Sequence, residues 1–326
     1  MFDFARDVWA SLPEARARVG RVALVWLASP LPEARRRSFE RRQRGREQVA
    51  MLRRADAAVV SYGKAGRTWL RVMLSGYYQR RCGLPEQSLL GFANYHRRDP
   101  RVPRIFFTHD NYIKDYTGHL DSKRDFYGTK VVLLVRSPQD TAVSQYFQWK
   151  HRMRRAKRTL NDYPTDDATS LFDFVMNPGC GLAKIVDFMN LWAAEHARVA
   201  KFLLVRYEDM RRDPESELLR IVGFLDGSAD AACVSHAVAF ASVDNMRAME
   251  ERRSFWLAGR RMAPGDRANP DSFKVRRAVV GGYRDHFDAE QIARIDELVS
   301  AKLSPLYGYG AGGVVGPATG FERRTP

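Results

Sequence analysis

Cysteine is scarce in this chain, and what there is does not pair. Cys82, Cys180 and Cys233 are odd in number, widely spaced and in no C-x-x-C pair, which argues against a disulfide framework and against a zinc site. Reduced, mostly buried thiols and a reducing, cytoplasmic compartment are the expectation. Long apolar runs are missing as well. In VGRVALVWLASPL (residues 19–31) the unbroken run is Val22 to Ser29, whereas a spanning helix needs about 20 apolar residues. Asp3 and Asp7 stand where a secretory signal carries basic residues, and Pro30 and Pro32 close the stretch, so no signal peptide is read. A helix packed on the body is expected there, with a peripheral, amphipathic contact to an anionic membrane as the alternative. Acidic side chains are in the minority, 38 against 54 Lys and Arg, for a net charge of +16. Such an excess calls for an anionic partner: a phosphorylated cofactor, an acidic glycan, a membrane surface or nucleic acid. Charge alone does not choose among them.

What is present is enough for a globular body. The 326 residues are 45% apolar and 11% aromatic, so a sizeable core can form. No internal repeat is apparent. Residues 1–50 hold eleven arginines and no lysine and read as a solvated basic helix or arm. Residues 51–307 carry the domain, and the Gly-rich tail at 308–326 reads as disordered.

Four apolar stretches read as strands: DAAVVSYG (56–63), RIFFTHD (104–110), KVVLLVRSPQD (130–140), whose Val131 to Val135 would be buried on both faces, and KFLLVRYEDM (201–210), which leads into a loop. Helical patterns alternate with them. Leu70, Met73, Leu74, Tyr77 and Tyr78 share one helix face, as do Ile185, Phe188, Met189 and Trp192. Ser137 with Pro138, Asp213 with Pro214, and Asp288 with Gln291 are helix starts. The alternation predicts a three-layer α/β/α fold with a mainly parallel central sheet, P-loop-like in its first βα turn. Ligands of such sheets sit off the carboxyl ends of the strands. Gly63, His109, Arg136 and Tyr207 all fall just past those ends.

The first turn, SYGKAGRTW (61–69), is a glycine loop between strand and helix, which is where free backbone N–H groups hold phosphate. Its spacing is not that of a nucleotide-triphosphate loop, which needs a lysine directly before the Ser/Thr. A kinase therefore stands only as the alternative enzyme, and a basic membrane- or nucleic-acid-binding module as the alternative from another class.

Four motifs in order between residues 61 and 287 resemble those of the PAPS-dependent sulfotransferase family, PAPS being 3′-phosphoadenosine 5′-phosphosulfate. GKAGRTW resembles its phosphosulfate loop, P-K-S-G-T-T-W; VRSPQDTAVSQYF its 3′-phosphate motif; VRYEDMRRDP its Y-E-D-M segment; and KVRRAVVGGYRDHF its late R-K-G-x-x-G-D-W segment. The resemblance implies transfer of a sulfuryl group from PAPS to a hydroxyl or amine, with 3′,5′-adenosine bisphosphate (PAP) as product and no metal. It implies that Lys64, Ala65, Gly66, Arg67, Thr68 and Trp69 cradle the phosphosulfate, and that Arg136 and Ser144 hold the 3′-phosphate. Tyr207 then meets the adenine, and Arg276 and Arg277 supply the late basic pair. Lys64 would act on the leaving oxygen. His109, in FTHD where the family has K-T-H, would be the general base, a task suited to an imidazole near neutral pH. The acceptor it implies is a hydroxyl-bearing glycan, lipid headgroup or small molecule, not nucleic acid.

Some positions stay open at this level. Arg67 replaces a hydroxyl residue and either contacts phosphate or points away. Phe107 replaces a second lysine, and Ala278 and Gly282 depart from the late motif. Trp69 is either beside adenine or in the core, and Asp110 either orients His109 or faces solvent. Tyr112, Phe147, Trp149, Phe172 and Trp256 are candidates for an acceptor pocket, and KHRMRRAKR (150–158) either recognises an acidic acceptor or ends a solvated helix. The segment 254–282 lacks a regular pattern. From Arg252 to Arg284 it has nine basic residues against two acidic, as expected of a loop that closes on an anion.

Overall fold

A computed structural model describes residues 16–17, 19–252, 254–255, 264–276 and 279–309. Its centre is a sheet of β1 (Ala57–Ser61), β2 (Ile105–Thr108), β3 (Lys130–Val135) and β4 (Lys201–Arg206) in the order β2-β1-β3-β4. All three pairings are parallel, with Val60 opposite Thr108 and Leu133, and Leu133 opposite Leu204. Alternation along the strands serves two cores. Ala57, Val59, Val132, Leu134 and Val205 point into one; Ala58, Val60, Val131, Leu133, Val135 and Leu204 point into the other. Burying a Val or Leu side chain contributes about 1.5–3 kcal/mol, so these runs hold the sheet at the middle of the molecule. The first core is closed by the helices Arg67–Cys82, Pro214–Asp226 and Ala231–Phe240. Pro138–Arg152, Leu182–Glu195 and Ala289–Lys302 close the second. Three layers result, as the alternation predicts.

The helix starts follow their local chemistry. Ser137 accepts from the Asp140 N–H with Pro138 in the first turn, and Asp213 accepts from the Ser216 N–H with Pro214 beside it. Asp288 and Gln291 form the reciprocal capping box. VRYEDM differs from expectation in one respect: β4 passes directly into a short helix, Tyr207–Arg212, with no loop between. Cys82, Cys180 and Cys233 are free, the last two buried.

Both ends of the chain depart from the sequence reading. The helix Glu33–Leu52 is not a solvated arm along its whole length. Its C-terminal part packs on the body through Gly45, Val49 and Leu52. At Gly45 a Cβ would come within 2.2 Å of the Tyr112 carbonyl, so the close approach needs glycine. Arg41 ties the same helix to Asp115 and to the Leu160 carbonyl. Ahead of it, residues 19–27 are helical, but their apolar side chains face outward rather than into the body. At the other end Tyr309 is buried and its hydroxyl donates to Glu208, which carries the folded body past residue 307; the rest of the expected tail, from 310, lies outside the described residues.

Candidate active site

The carboxyl ends of β1, β2, β3 and β4 open onto one cavity of about 760 Å³, within the usual range for small-molecule sites. Lys64, Gly66, Arg67, Thr68, Trp69, His109, Arg136, Ser144, Tyr207 and Arg276 all line it. Ala65 does not; it is buried behind the loop. Arg277 and Trp256 lie outside the described residues.

Gly66 shows why the loop needs its glycine. Its φ of +100° is a left-handed conformation, and a Cβ there would sit 2.7 Å from the Tyr207 ring. Tyr207 thus packs directly on the turn that starts the Arg67–Cys82 helix. Trp69 meets the same ring edge-on at 5.8 Å, donates its indole N–H to the Ala241 carbonyl and has Arg211 over its face. It lines the cavity and packs against the first core.

Lys64 sits at the loop's crest with a φ of +73°, unusual for a residue with a side chain. No carboxylate lies within ion-pair distance of its ammonium among the described residues. Burial, with Arg152 and Arg136 nearby, lowers its pKa from 10.5 to about 7. Arg136 leans over the Tyr207 ring at 4.5 Å, donates to the Val279 carbonyl at 3.1 Å and lies 3.4 Å from Asp140. Its Nε is buried without a partner among the described residues. Arg136 also lines the cavity, where a guanidinium is a place for an anion.

His109 is locked into one tautomer. Nδ1 lies 2.9 Å from the Ser61 carbonyl, which only accepts, so Nδ1 carries the proton. Nε2 then offers a lone pair, and the Arg67 Nη2 donates to it at 2.7 Å. Burial and the Arg67 charge hold the imidazole well below its usual pKa of 6.5. Arg67 therefore meets His109 rather than only the phosphate loop. Asp110 neither orients His109 nor faces solvent. It is buried at a φ of +54° and pairs with Lys123 at 2.6 Å, while its desolvation raises its pKa.

The late segment is tied down where it is described. Glu250, fully buried and paired with Arg152 at 2.8 Å, accepts from the Lys274 and Val275 N–H groups. Asp140 accepts from the N–H groups of Gly281 and Tyr283. Arg276 stacks on Phe147 at 3.6 Å from the ring centroid. Gly282 lines the cavity without the aspartate of the late motif.

The aromatic candidates fare differently. Tyr112, Phe147, Trp149 and Phe172 are not among the lining residues; Trp149 is fully buried and Tyr112 hydrogen-bonds Asn161. The apolar wall is instead Tyr62, Leu120, Met153, Tyr163, Phe188 and Leu191. From the basic run 150–158 only Met153 and Lys157 reach the cavity. Arg71, which stacks on Phe107 at 3.9 Å, was missed, because mid-helix residues give no signal of a cavity above them. Among the described residues no cluster of three or more His, Cys, Asp or Glu is placed to hold a metal.

The family model of the sulfotransferase domain matches residues 54–306. The chain belongs to that family. This sulfotransferase is 24% identical over 264 residues to the amine sulfotransferase of Oryctolagus cuniculus, covering 77% of this chain and 82% of the relative. It is 26% identical over 273 residues to cytosolic sulfotransferase 17 of Arabidopsis thaliana, covering 76% and 74%. Mouse sulfotransferase SULT7A1, solved with PAP, has the same fold at a TM-score of 0.53 and 20% identity, covering 76% of this chain and 84% of that one. The enzyme is a transferase, and its chemistry is sulfuryl transfer.

Proposed function

We propose that this sulfotransferase takes the sulfuryl group from PAPS, held by Lys64, the Gly66–Trp69 loop, Arg136, Ser144, Tyr207 and the Arg276–Arg277 pair, and passes it to a hydroxyl or amine activated by His109. The observation that carries the reading is a division of labour within one cavity. At the β3 and β4 ends the Arg136 guanidinium lines the cavity beside an aromatic wall of Tyr207 and Trp69, which suits a phosphorylated adenosine. At the β2 end His109 presents Nε2 as an acceptor, held by the Arg67 guanidinium, which suits a proton acceptor. Lys64 and the helix N-terminus stand between them at the end of β1, where leaving-group charge would form.

In this scheme His109 Nε2 takes the acceptor proton as the acceptor oxygen bonds to sulfur. Lys64 and the N–H groups of the loop receive charge on the phosphate oxygen as the old S–O bond breaks. The kinase reading lacks its lysine, since Arg67 stands directly before Thr68. Calorimetric titration with PAP, with ATP as control, tests the nucleotide; labelled PAPS with a lysate tests the transfer.

Arg136→Ala is expected to weaken PAP binding by about 10- to 100-fold, the range of a charge-assisted hydrogen bond. Turnover at saturating PAPS should change far less, because the 3′-phosphate does not react. Unchanged PAP affinity would remove Arg136 from the 3′-phosphate site.

The same proposal places the enzyme in the cytoplasm and at the periphery of an anionic membrane. In the helical stretch 19–27, Arg21 turns towards the body and pairs with Glu47 at 2.5 Å. Val19, Val22, Trp26 and Leu27 are 60–73% exposed. This inverts the usual arrangement of a surface helix, and Arg35, Arg36, Arg42 and Arg46 follow on the next one. No helix among the described residues is long and apolar enough to cross a membrane. Sedimentation with phosphatidylserine-containing vesicles should carry the protein down, phosphatidylcholine vesicles much less, and the pair Trp26→Glu and Leu27→Glu should abolish it. Equal recovery of wild type and double variant with anionic vesicles would end this reading.

A further inference from the structure

We propose that the acceptor of this sulfotransferase carries an anionic group of its own, a carboxylate, phosphate or sulfate ester, beside the group it presents to His109. The inference rests on the proposed division of the cavity and deepens it. The sheet order sets which half the acceptor would use. With β4 and β3 at the nucleotide end and β1 between, the remaining space lies over β2 and the elements that follow it. That half is lined by Arg41, Arg67, Lys114, Lys123, Lys157 and Lys184, against the carboxylates Asp110, Asp121 and Asp187.

Pairing reduces this inventory without cancelling it. Lys123 is consumed by Asp110 at 2.6 Å, and Arg41 by Asp115 at 3.1 Å, a residue outside the lining. Arg67 is already engaged with the His109 ring. Lys184 donates to the Gly179 carbonyl, an uncharged partner. Lys114, Lys157 and Lys184 therefore face Asp121 and Asp187, and one positive charge remains even if both carboxylates pair. Arg44 and Arg67 are like-charged neighbours of Lys157; at Lys184 burial lowers the proton affinity first, Asp162 and Cys180 oppose it, and Arg41 and Lys114 add smaller lowering contributions. Clustered cations gain from an anion and repel an ammonium. Tyr62, Leu120, Tyr163, Phe188 and Leu191 supply an apolar wall beside them, so the fitting acceptor is a compact, partly apolar molecule with one acidic group.

The test uses three phenols of matched size: 4-hydroxyphenylacetate (anionic), 4-hydroxyphenethyl alcohol (neutral) and tyramine (cationic). Each is titrated by calorimetry onto the full chain saturated with PAP. The carboxylate should bind at least about tenfold more tightly than the neutral phenol, with tyramine weakest. Raising the salt from about 0.05 to 0.5 M should shrink the difference. In Lys114→Gln with Lys157→Gln the carboxylate's advantage should fall below about threefold while PAP affinity stays as in the wild type. Equal affinities, a preference for tyramine, or no measurable binding of the carboxylate would overturn the anionic acceptor and leave sulfuryl transfer standing. Failure to bind PAP at all would remove the nucleotide reading, and with it the division of the cavity on which this inference rests.

Discussion

Lys64→Ala lowers kcat by about 10²- to 10³-fold, the usual effect of losing one preorganised donor to developing charge. The expectation follows from where Lys64 sits and what surrounds it. Its ammonium shares the cavity with Arg136 and Arg276, and among the described residues no carboxylate pairs with it, so its charge is complementary to something that arrives. Leaving-group charge grows in the transition state, and the loss should therefore fall on turnover more than on PAP affinity. A pKa of about 7 adds a second readout. In the free enzyme at pH 8 the side chain is mostly neutral, and a bound phosphate would restore the proton. Titration with PAP at pH 8 in buffers of different ionisation enthalpy should show uptake approaching one proton, and none from Lys64 in the alanine variant. The uptake should shrink as pH falls through 7 and vanish well below it, where Lys64 is already charged. Lys64→Gly separates chemistry from backbone. A left-handed φ of +73° costs a side-chain-bearing residue about 1 kcal/mol, so the glycine variant should unfold later than the alanine variant and be no more active. Wild-type turnover in either variant would sink the leaving-group role.

The fold was legible in the sequence because each layer left a local trace. KVVLLV and DAAVV are apolar without alternation, and a strand is buried on both faces only in a covered parallel sheet. The turn after β1 was legible for a similar reason: Gly63 and Gly66 stand between an apolar run and an amphipathic helix pattern. The acceptor half was not legible, because its walls come from short helices whose placement depends on tertiary packing. Tyr112 and Trp149 look like pocket aromatics in the sequence, yet each has an inward partner: Asn161 for the Tyr112 hydroxyl, and the Pro164 carbonyl for the Trp149 indole. Lys157 and Arg158 are neighbours in one basic run. Arg158 turns in to stack on Trp149, while Lys157 stays exposed at the cavity wall. No periodicity distinguishes them.

His109→Ala lowers transfer to an aliphatic alcohol by at least about 10²-fold and leaves PAP binding unchanged. An alcohol attacks poorly until its proton leaves, and His109 offers the one lone pair aimed at that job, since the Ser61 carbonyl obliges Nδ1 to keep the proton. That lone pair is occupied by Arg67 at 2.7 Å, so an acceptor hydroxyl must displace the guanidinium to reach it. The sign of the pH dependence follows. Burial and Arg67 hold the imidazole well below 6.5, so the base is already neutral there, and the rising limb of kcat/KM in the wild type lies below pH 6.5. Arg67→Gln removes the positive neighbour and should move that limb upward towards 6.5, a shift that damage to packing alone would not produce. In His109→Ala the limb disappears. A phenol of low pKa should lose least, because its proton is already labile. If His109→Ala turns over an aliphatic alcohol at the wild-type rate, the base lies elsewhere. Asp110 is a poor substitute, paired as it is with Lys123, and the search would move to Asp121 and Asp187, the carboxylates that line the acceptor half.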